Sequence, residues 1–366
     1  MTNLKYPNSV TLELTQKCNL RCRMCYFWGE TGLYIQKKQQ KSKPKEMSLD
    51  LIKTIINEFS STKVLYSLFG GEPFLHSEID EIIRLIKKSG GVIDTPTNGT
   101  MLKKHATMLV ETGFDALRVS LDGPEDINDQ QRGKGSFKRA LEGIRSVYKL
   151  REKKGSKTPR LSLIFTITPI NYQSLEKLFL EELNLESIDW VTLQMQNYIT
   201  EEMAEEYVSF LKNEFNIQSD VYCSSLIRDP SEFDDIDIEE LVRQINTITM
   251  KFDDLGINYL LEPPTFSKQN LNAYFNADWR NMEDQYRTCS APWKALDITV
   301  DGDIAPCHIY YDLKMGNLYE KSFNEIWNGE KYRRFRTYMK EHKFMSICPG
   351  CCILYLMGKK KYNKST

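Results

Sequence analysis

Short apolar runs alternate along the first half of the chain with segments that place an apolar residue every three or four positions. Residues 10–14 read as a strand. Ser48 stands where it can cap a helix in which Ile52, Ile55, Ile56 and Phe59 follow the i, i+3, i+4, i+7 spacing of a buried face. A strand-like run at 63–69 precedes a helix at 78–88 with Ile79, Ile82, Ile83 and Ile86 on one side. A strand at 91–95, a helix from Leu102, a strand at 116–121 and a helix at 136–148 continue the series, and strands at 161–168 and 189–196 complete six. This alternation predicts parallel βα units. Right-handed crossovers curl them into an α/β fold, a partial (β/α)6 TIM-like barrel over residues 1–196. Functional groups of such barrels sit at the C-terminal ends of the strands.

The pattern changes at residue 197. Residues 197–288 predict a helical insertion or linker, with helices at 202–215 and 238–255; the second buries Leu241, Ile245, Ile248 and Phe252. The acidic run 229–240 suits a helix N-terminus, with a cradle for a cationic substrate as the alternative. Residues 289–358 predict a small C-terminal hairpin-plus-helix domain. There 295–300 alternate, Asp301-Gly302 turns the chain, 304–306 return, and a helix at 323–338 faces Phe323, Ile326 and Trp327 inward. Two Lys-rich polar stretches lie outside the pattern. Residues 37–45 read as a mobile loop, or a lid, beside the first strand, and 359–366 as a disordered tail.

Composition narrows the function classes. Hydrophobic residues are 41% and charged residues 27% of the 366, an ordinary soluble profile. A net charge of −1 supplies no basic field for nucleic acid or an anionic membrane, so neither is an expected partner. No apolar run is long enough to span a bilayer, and the first residues lack the apolar core of a signal peptide. The expected compartment is a reducing cytoplasm, where the nine cysteines suit metal ligation better than disulfides.

The cysteines fall into two groups. Cys18, Cys22 and Cys25 follow the first strand with C-x₃-C-x₂-C spacing, which lets one tight loop turn three thiolates into one small volume. A four-iron, four-sulfide cubane normally takes four protein ligands; three leave one iron open for chemistry. A zinc knuckle is the alternative, but no His or fourth Cys lies near the loop. Further polar motifs end the later strands: Gly70-Gly71-Glu72-Pro73, Thr97-Asn98-Gly99, Ser120-Leu121-Asp122-Gly123, and Gln194 with Gln196. The paired glycines admit a close ligand, and Glu72 can accept from an ammonium group. Cys289, Cys307, Cys348 and Cys351 form the second group, because the hairpin brings its ends together and a C-x₂-C closes the site. Four thiolates suit a four-iron cluster or zinc, and Cys352 is an alternative to Cys351.

Taken together, these motifs resemble the radical S-adenosylmethionine (radical SAM) superfamily. The resemblance implies an open-iron [4Fe-4S] cluster on Cys18, Cys22 and Cys25 that is chelated by SAM. An electron from the cluster then cleaves SAM to a 5′-deoxyadenosyl radical, which abstracts a substrate hydrogen. It implies that Gly70, Gly71, Glu72 and Pro73 contact the SAM amino group and that Met24 packs on adenine. It places Asn98, Ser120 and Asp122 near the rest of the cofactor, pairs Arg132 with the SAM carboxylate, and sets Gln194 at the border of SAM and substrate. The PW…DG…PC…GNL…EIWN…CxxC run resembles the single-cluster ("twitch") form of the SPASM domain. It implies one auxiliary [4Fe-4S] cluster on Cys289, Cys307, Cys348 and Cys351. Five cysteines after residue 288 are too few for a second. His308 stands where relatives that oxidise a seryl or cysteinyl residue carry an Asp base, and an imidazole can do that work.

The expected enzyme is therefore a radical SAM oxidoreductase. It oxidises or cross-links a small polar molecule or a peptide, and takes electrons from a flavodoxin- or ferredoxin-type reductant. Among relatives, an aminocyclitol dehydrogenase has nearly the same cysteine spacing. A peptide maturase is the alternative, made less apt because the chain starts a few residues before the first strand, without room for a leader-binding domain. An epimerase that returns a hydrogen atom from Cys223 is another. A two-cluster electron carrier or sensor is the non-enzyme reading, and it leaves Gly70-Gly71-Glu72-Pro73 and Arg132 unexplained.

Overall fold

The computed structural model describes residues 6–35, 42–308 and 310–360. The lid reading of 37–45 thus lies mostly outside the described residues. Twelve strands are present among those described: β1 (Ser9–Thr15), β2 (Leu65–Gly70), β3 (Val92–Thr97), β4 (Ala116–Ser120), β5 (Arg160–Ile167), β6 (Trp190–Met195), β7 (Asn258–Glu262), β8 (Tyr286–Cys289), β9 (Ala295–Ile298), β10 (Asp303–Ala305), β11 (Gly316–Asn317) and β12 (Gly358–Lys360). Ten form one sheet in the order β11-β10-β9-β1-β2-β3-β4-β5-β6-β7. From β1 to β7 every neighbouring pair is parallel.

Helices cover the outer face. Ser48 caps Leu49–Glu58, its side chain accepting from Leu51 N–H, as its position predicts. Ile82, Ile83 and Ile86 of Ile79–Lys88 are fully buried, each removing enough apolar surface for about 1.5–3 kcal/mol. The sheet residues facing these helices include Leu68, Ile93, Leu117, Leu163 and Val191, all fully buried. Successive side chains of a strand point to opposite faces. The other face therefore carries the intervening Ser67, Asp94, Arg118, Ser162 and Thr192, which line an internal cavity. A polar inner face leaves a space where an apolar one would fill it.

The α/β barrel-like class holds, with one more strand than the six read from the sequence. Residues 197–288 are not purely helical. Helix Ile238–Leu255, capped by Asp237, leads into β7, which joins β6 in parallel from Trp190↔Asn258 to Gln194↔Glu262. Only five residues long and polar at both ends, β7 has little apolar pattern to betray it. The acidic run serves helix starts: Asp229 caps the turn Pro230–Phe233, and Asp237 accepts from Glu239 and Glu240 N–H.

Nor does the C-terminal hairpin stand apart. β9 and β10 pair as predicted, but β9 also lies parallel to β1 and extends the main sheet. The helix expected at 323–338 is two, Phe323–Trp327 and Glu330–His342. They break at Gly329, whose backbone passes so close that an added Cβ would lie 2.4 Å from Glu325 O. The tail reading is corrected in part: Lys359 and Lys360 belong to β12, antiparallel to β8, and 361–366 lie outside the described residues. No helix among the described residues is long and apolar enough to cross a membrane.

Candidate active site

The loop after β1 carries Cys18, Cys22 and Cys25 to the rim of one cavity of about 190 Å³. Its path is fixed by backbone bonds: Cys25 N–H to Cys22 O (3.1 Å), Gly29 N–H to Cys25 O (2.7 Å) and Arg23 N–H to Gln131 O (3.0 Å). The Trp28 indole donates to Gln16 O at 2.8 Å, tying the loop back to β1. Two groups reach the sulfurs. Trp28 N–H lies 3.3 Å from Cys25 Sγ, and Arg132 Nη1 lies 3.9 Å from Cys22 Sγ. Burial nevertheless pushes the Cys18 and Cys22 thiols up to about 12, so the chain alone supplies too little positive charge for its thiolates. Iron supplies that charge, and three sulfurs at one rim fit the donor set of an open cluster.

The strand ends close the rest of this cavity. Met24, Gly70, Gly71, Glu72, Pro73, Asn98, Ser120, Arg132 and Gln194 all line it. The glycines also have a reason within the chain. A Cβ on Gly70, at φ +120°, would lie 2.2 Å from Thr15 O, and one on Gly71 would lie 2.1 Å from Lys17 O. They let the turn press against the chain's own cysteine loop, joined by Gly71 N–H to Thr15 O and Glu72 N–H to Lys17 O. The Glu72 carboxyl is buried and braces the neighbouring loop. It accepts from Phe74 N–H, from the Thr97 hydroxyl and from Asn98 N–H, the last two at 2.8 Å. Burial outweighs these donors and pushes it up to about 7.

Asp122 is not on the cavity wall. It is fully buried behind Arg132, pairing with Nε at 2.6 Å and accepting from Gln131 Nε2 and Thr166 N–H at 2.8 Å each. Its carboxylate positions the guanidinium from behind the cavity wall. Arg132 reaches the wall because it ends the eight-residue helix Glu125–Arg132.

The second thiol group also assembles. Cys289, Cys348 and Cys351 are buried and Cys307 partly so. Burial, then Cys348 and Cys289, oppose ionisation of Cys307. The Cys352 contact and burial, then Cys307 and Cys348, oppose that of Cys351. These mutual effects put the thiols within electrostatic reach of one another, and Ala291 N–H points at Cys289 Sγ from 3.5 Å. Among the described residues no three His, Cys, Asp or Glu side chains close around a single ion. A four-iron cubane holds its thiolates farther apart than one ion does. Cys352 turns instead into a larger cavity, where contacts with Cys351 and the His308 charge lower it to about 6.

That larger cavity, about 1100 Å³, occupies the barrel interior and is lined by Cys307 and Cys352. It shares Tyr26, Phe69, Ser120 and Gln194 with the smaller one and reaches Cys307 and His308. His308 Nδ1 lies 2.9 Å from Asp297 Oδ2, which also accepts from the Tyr311 hydroxyl at 3.2 Å. Burial lowers the imidazole, but the charge and hydrogen bond of Asp297 outweigh it and raise His308 above its usual range. The Phe69 ring, 4.5 Å away, sets the imidazole plane. Cys223 is not brought to either cavity. It is buried, and its thiol donates to Asp220 O at 3.1 Å. Sequence reading missed Asp297, Arg118 and Glu262. The available signal was a charged residue in a strand whose alternate positions are apolar.

An α/β barrel with three thiols at the end of β1, and four more beside a hairpin that extends its sheet, defines an iron–sulfur enzyme class. Residues 12–181 match the radical SAM superfamily and residues 289–352 the SPASM iron–sulfur cluster-binding domain. The chain thus carries a radical SAM domain and a C-terminal SPASM domain. It is 26% identical over 362 residues to the tungsten-containing aldehyde ferredoxin oxidoreductase cofactor-modifying protein of Pyrococcus furiosus, covering 93% of this chain and 86% of that one. It is 23% identical over 369 residues to the serine-type anaerobic sulfatase-maturating enzyme of Bacteroides thetaiotaomicron, covering 92% and 80%. In fold it is similar to Streptococcus suis SuiB bound to S-adenosylmethionine, at TM-score 0.64 and 16% identity over 95% of this chain and 73% of that one. A [4Fe-4S] cluster with SAM belongs to the first domain, and auxiliary iron–sulfur ligation to the second.

Proposed function

We propose that the protein is a SAM-dependent oxidoreductase acting on a small polar molecule, or on a peptide side chain admitted to the barrel. The observation that carries this reading is a pair of adjoining cavities that share Tyr26, Phe69, Ser120 and Gln194, the smaller lined by Cys18, Cys22 and Cys25 and the larger by Cys307 and His308. Cys18, Cys22 and Cys25 would hold the open cluster, and Cys289, Cys307, Cys348 and Cys351 a single auxiliary one. When bound, the open cluster and SAM supply a 5′-deoxyadenosyl radical able to abstract an unactivated hydrogen atom.

The chain's own residues do the rest. Met24, Ser120 and Gln194, with the Gly70-Gly71 backbone, shape the cofactor space. Arg132, held by Asp122, presents its remaining N–H groups to a carboxylate, a task suited to guanidinium. A two-electron oxidation would remove a hydrogen atom, for the radical that bound SAM supplies, a proton, and an electron, for which the auxiliary cluster held by Cys289, Cys307, Cys348 and Cys351 would be the acceptor. Asp297 holds the Nδ1 side of His308 and leaves Nε2 to take the proton. Phe69, Tyr26 and the barrel wall keep water from a reactive centre.

The names of the two full-length relatives include modification of a cofactor and maturation of a sulfatase, so both substrate classes stay open. The charged and hydroxyl side chains on the inner wall, among them Asp94, Arg118, Ser162 and Thr192, favour the small polar one. A flavodoxin- or ferredoxin-type protein is the proposed reductant. Anaerobic reconstitution tests the reading. Wild type should bind about eight irons, fall to about four when Cys18, Cys22 and Cys25 are all changed to Ala, and release 5′-deoxyadenosine from SAM once reduced. Failure to cleave SAM at full iron content would refute it.

A further inference from the structure

One acid in the interior cavity has neither a part in the mechanism above nor a partner among the described residues. Glu262 ends β7 opposite Gln194 of β6, so it stands at the C-terminal rim of the barrel, where the cofactor space opens into the larger cavity. Its side chain lines that cavity, and the residue is only 5% exposed. Among the described residues, no hydrogen bond or ion pair reaches its carboxyl group.

The other acids of the inner wall are matched. Asp94 pairs with Arg118 at 3.1 Å, Asp115 with Lys87 at 2.6 Å, Asp189 with Arg151 at 2.5 Å, and Asp297 meets His308 at 2.9 Å. Glu186 is exposed. Glu262 alone is both buried and unmatched. Burial pushes its carboxyl well above the usual range, Cys352 adds to that, and Arg118 works against it. Proteins seldom bury an acid in this way unless a cation or a set of donors completes it.

The surroundings say which chemistry completes it. Arg118 lies close enough to act on Glu262 but is committed to Asp94, and also donates to Ser67 Oγ at 3.5 Å. Asp94 Oδ1 is itself buried without a donor, while Arg118 Nε lacks an acceptor. Two acceptor groups, Asp94 Oδ1 and the Glu262 carboxyl, thus stand without a donor beside one charged donor without an acceptor, Arg118 Nε. An ammonium group brings three donors and one positive charge in a compact volume.

We propose that Glu262 anchors a primary ammonium group of the substrate, which makes the substrate a cationic amine bound between the cofactor space and His308. The inference rests on the interior cavity being the substrate site. It deepens the proposed function by naming the substrate's charge and the residue that selects it.

Calorimetry on anaerobically reconstituted, SAM-loaded protein tests it with three probes of one shape: cyclohexylamine, cyclohexanol and cyclohexanecarboxylate. Wild type should bind the amine at least about tenfold more tightly than the alcohol, with the carboxylate weakest, as expected of a hydrogen-bonded charge pair. Glu262→Gln should bring amine affinity down to that of the alcohol. The wild-type ranking needs no variant, so a Gln variant that fails to fold leaves the test standing. Equal binding of amine and alcohol, tightest binding of the carboxylate, no binding of any probe to wild type, or an amine preference that survives in Glu262→Gln overturns the proposal. SAM cleavage by the same wild-type batch separates the two claims. Cleavage without probe selectivity removes only the Glu262 anchor, whereas absent cleavage at full iron content removes the oxidoreductase reading.

Discussion

Replacing Arg132 with Met would leave the Asp122 carboxylate buried without its cation. The pair is close, Nε to Oδ2 at 2.6 Å, with side-chain exposures of 9% and 0%. Breaking one side of such a pair costs about 3–5 kcal/mol, because the remaining charge stays desolvated. At an unfolding entropy of about 2.1 cal/mol/K per residue, each kcal/mol moves the midpoint of a chain this long by a little over 1 °C. Arg132→Met should therefore unfold roughly 4–7 °C below wild type in scanning calorimetry of the reconstituted protein. Asp122→Leu should fall at least as far, since Gln131 Nε2 and Thr166 N–H also lose their acceptor. The double variant removes both charges and should cost less than the sum of the singles by about 2 kcal/mol or more. SAM affinity should drop in both single variants, in Asp122→Leu because an unheld guanidinium no longer faces the cofactor. Additive single effects, or an Arg132→Met midpoint within 1 °C of wild type, would refute the view that Asp122 works through Arg132.

Four further outcomes follow from the same geometry. Gly71→Ala places a Cβ 2.1 Å from Lys17 O, so the cysteine loop must shift, and about half of the iron should be lost on reconstitution while the auxiliary site keeps its share. Cys351→Ala should lose the auxiliary cluster and Cys352→Ala should not, measured as iron per chain; loss in Cys352→Ala alone would mean the two thiols have been assigned the wrong way round. His308→Gln should slow product formation by about 10²–10⁴-fold, the usual worth of a positioned base, with iron content unchanged. Burial raises Asp129, but Phe137 N–H at 3.0 Å, Gly135 N–H and the Ser136 hydroxyl hold its carboxyl below the ordinary range. Its stabilisation is thus present above the unfolded-state pKa and lost as pH falls through the lower folded one. Acid unfolding profiles of wild type and Asp129→Asn should therefore converge at low pH and separate near neutrality.

The six helix-flanked strands were legible because their outer faces are apolar and their helices keep a 3.6-residue period; Ile79, Ile82, Ile83 and Ile86 alone nearly fix one helix. β7 was not, because its inner positions face a cavity and not a packed core, which removes the apolar alternation that marks a strand. The same cause hid the charged cavity wall. Arg118, Asp297 and Glu262 are single charges inside short strands, and a sequence does not say which face of a strand turns toward empty space. Motif residues were easier to find than their duties. Glu72 and Asp122 belong to the right loops, yet the structure uses the first to brace Thr97 and Asn98 and the second to hold Arg132. Gly70 and Gly71 make the same point in backbone terms, since the close approach they allow is to Thr15 O and Lys17 O. A motif at a strand end marks where chemistry happens. Which of its atoms touch the reactants depends on donors from other elements, here Asn98 N–H from beyond β3 and Thr166 N–H from β5. The division of labour between cofactor-facing and supporting residues is therefore tertiary information, and substitutions at Glu72 and Asp122 should register first as loosened loops and only through them as lost turnover.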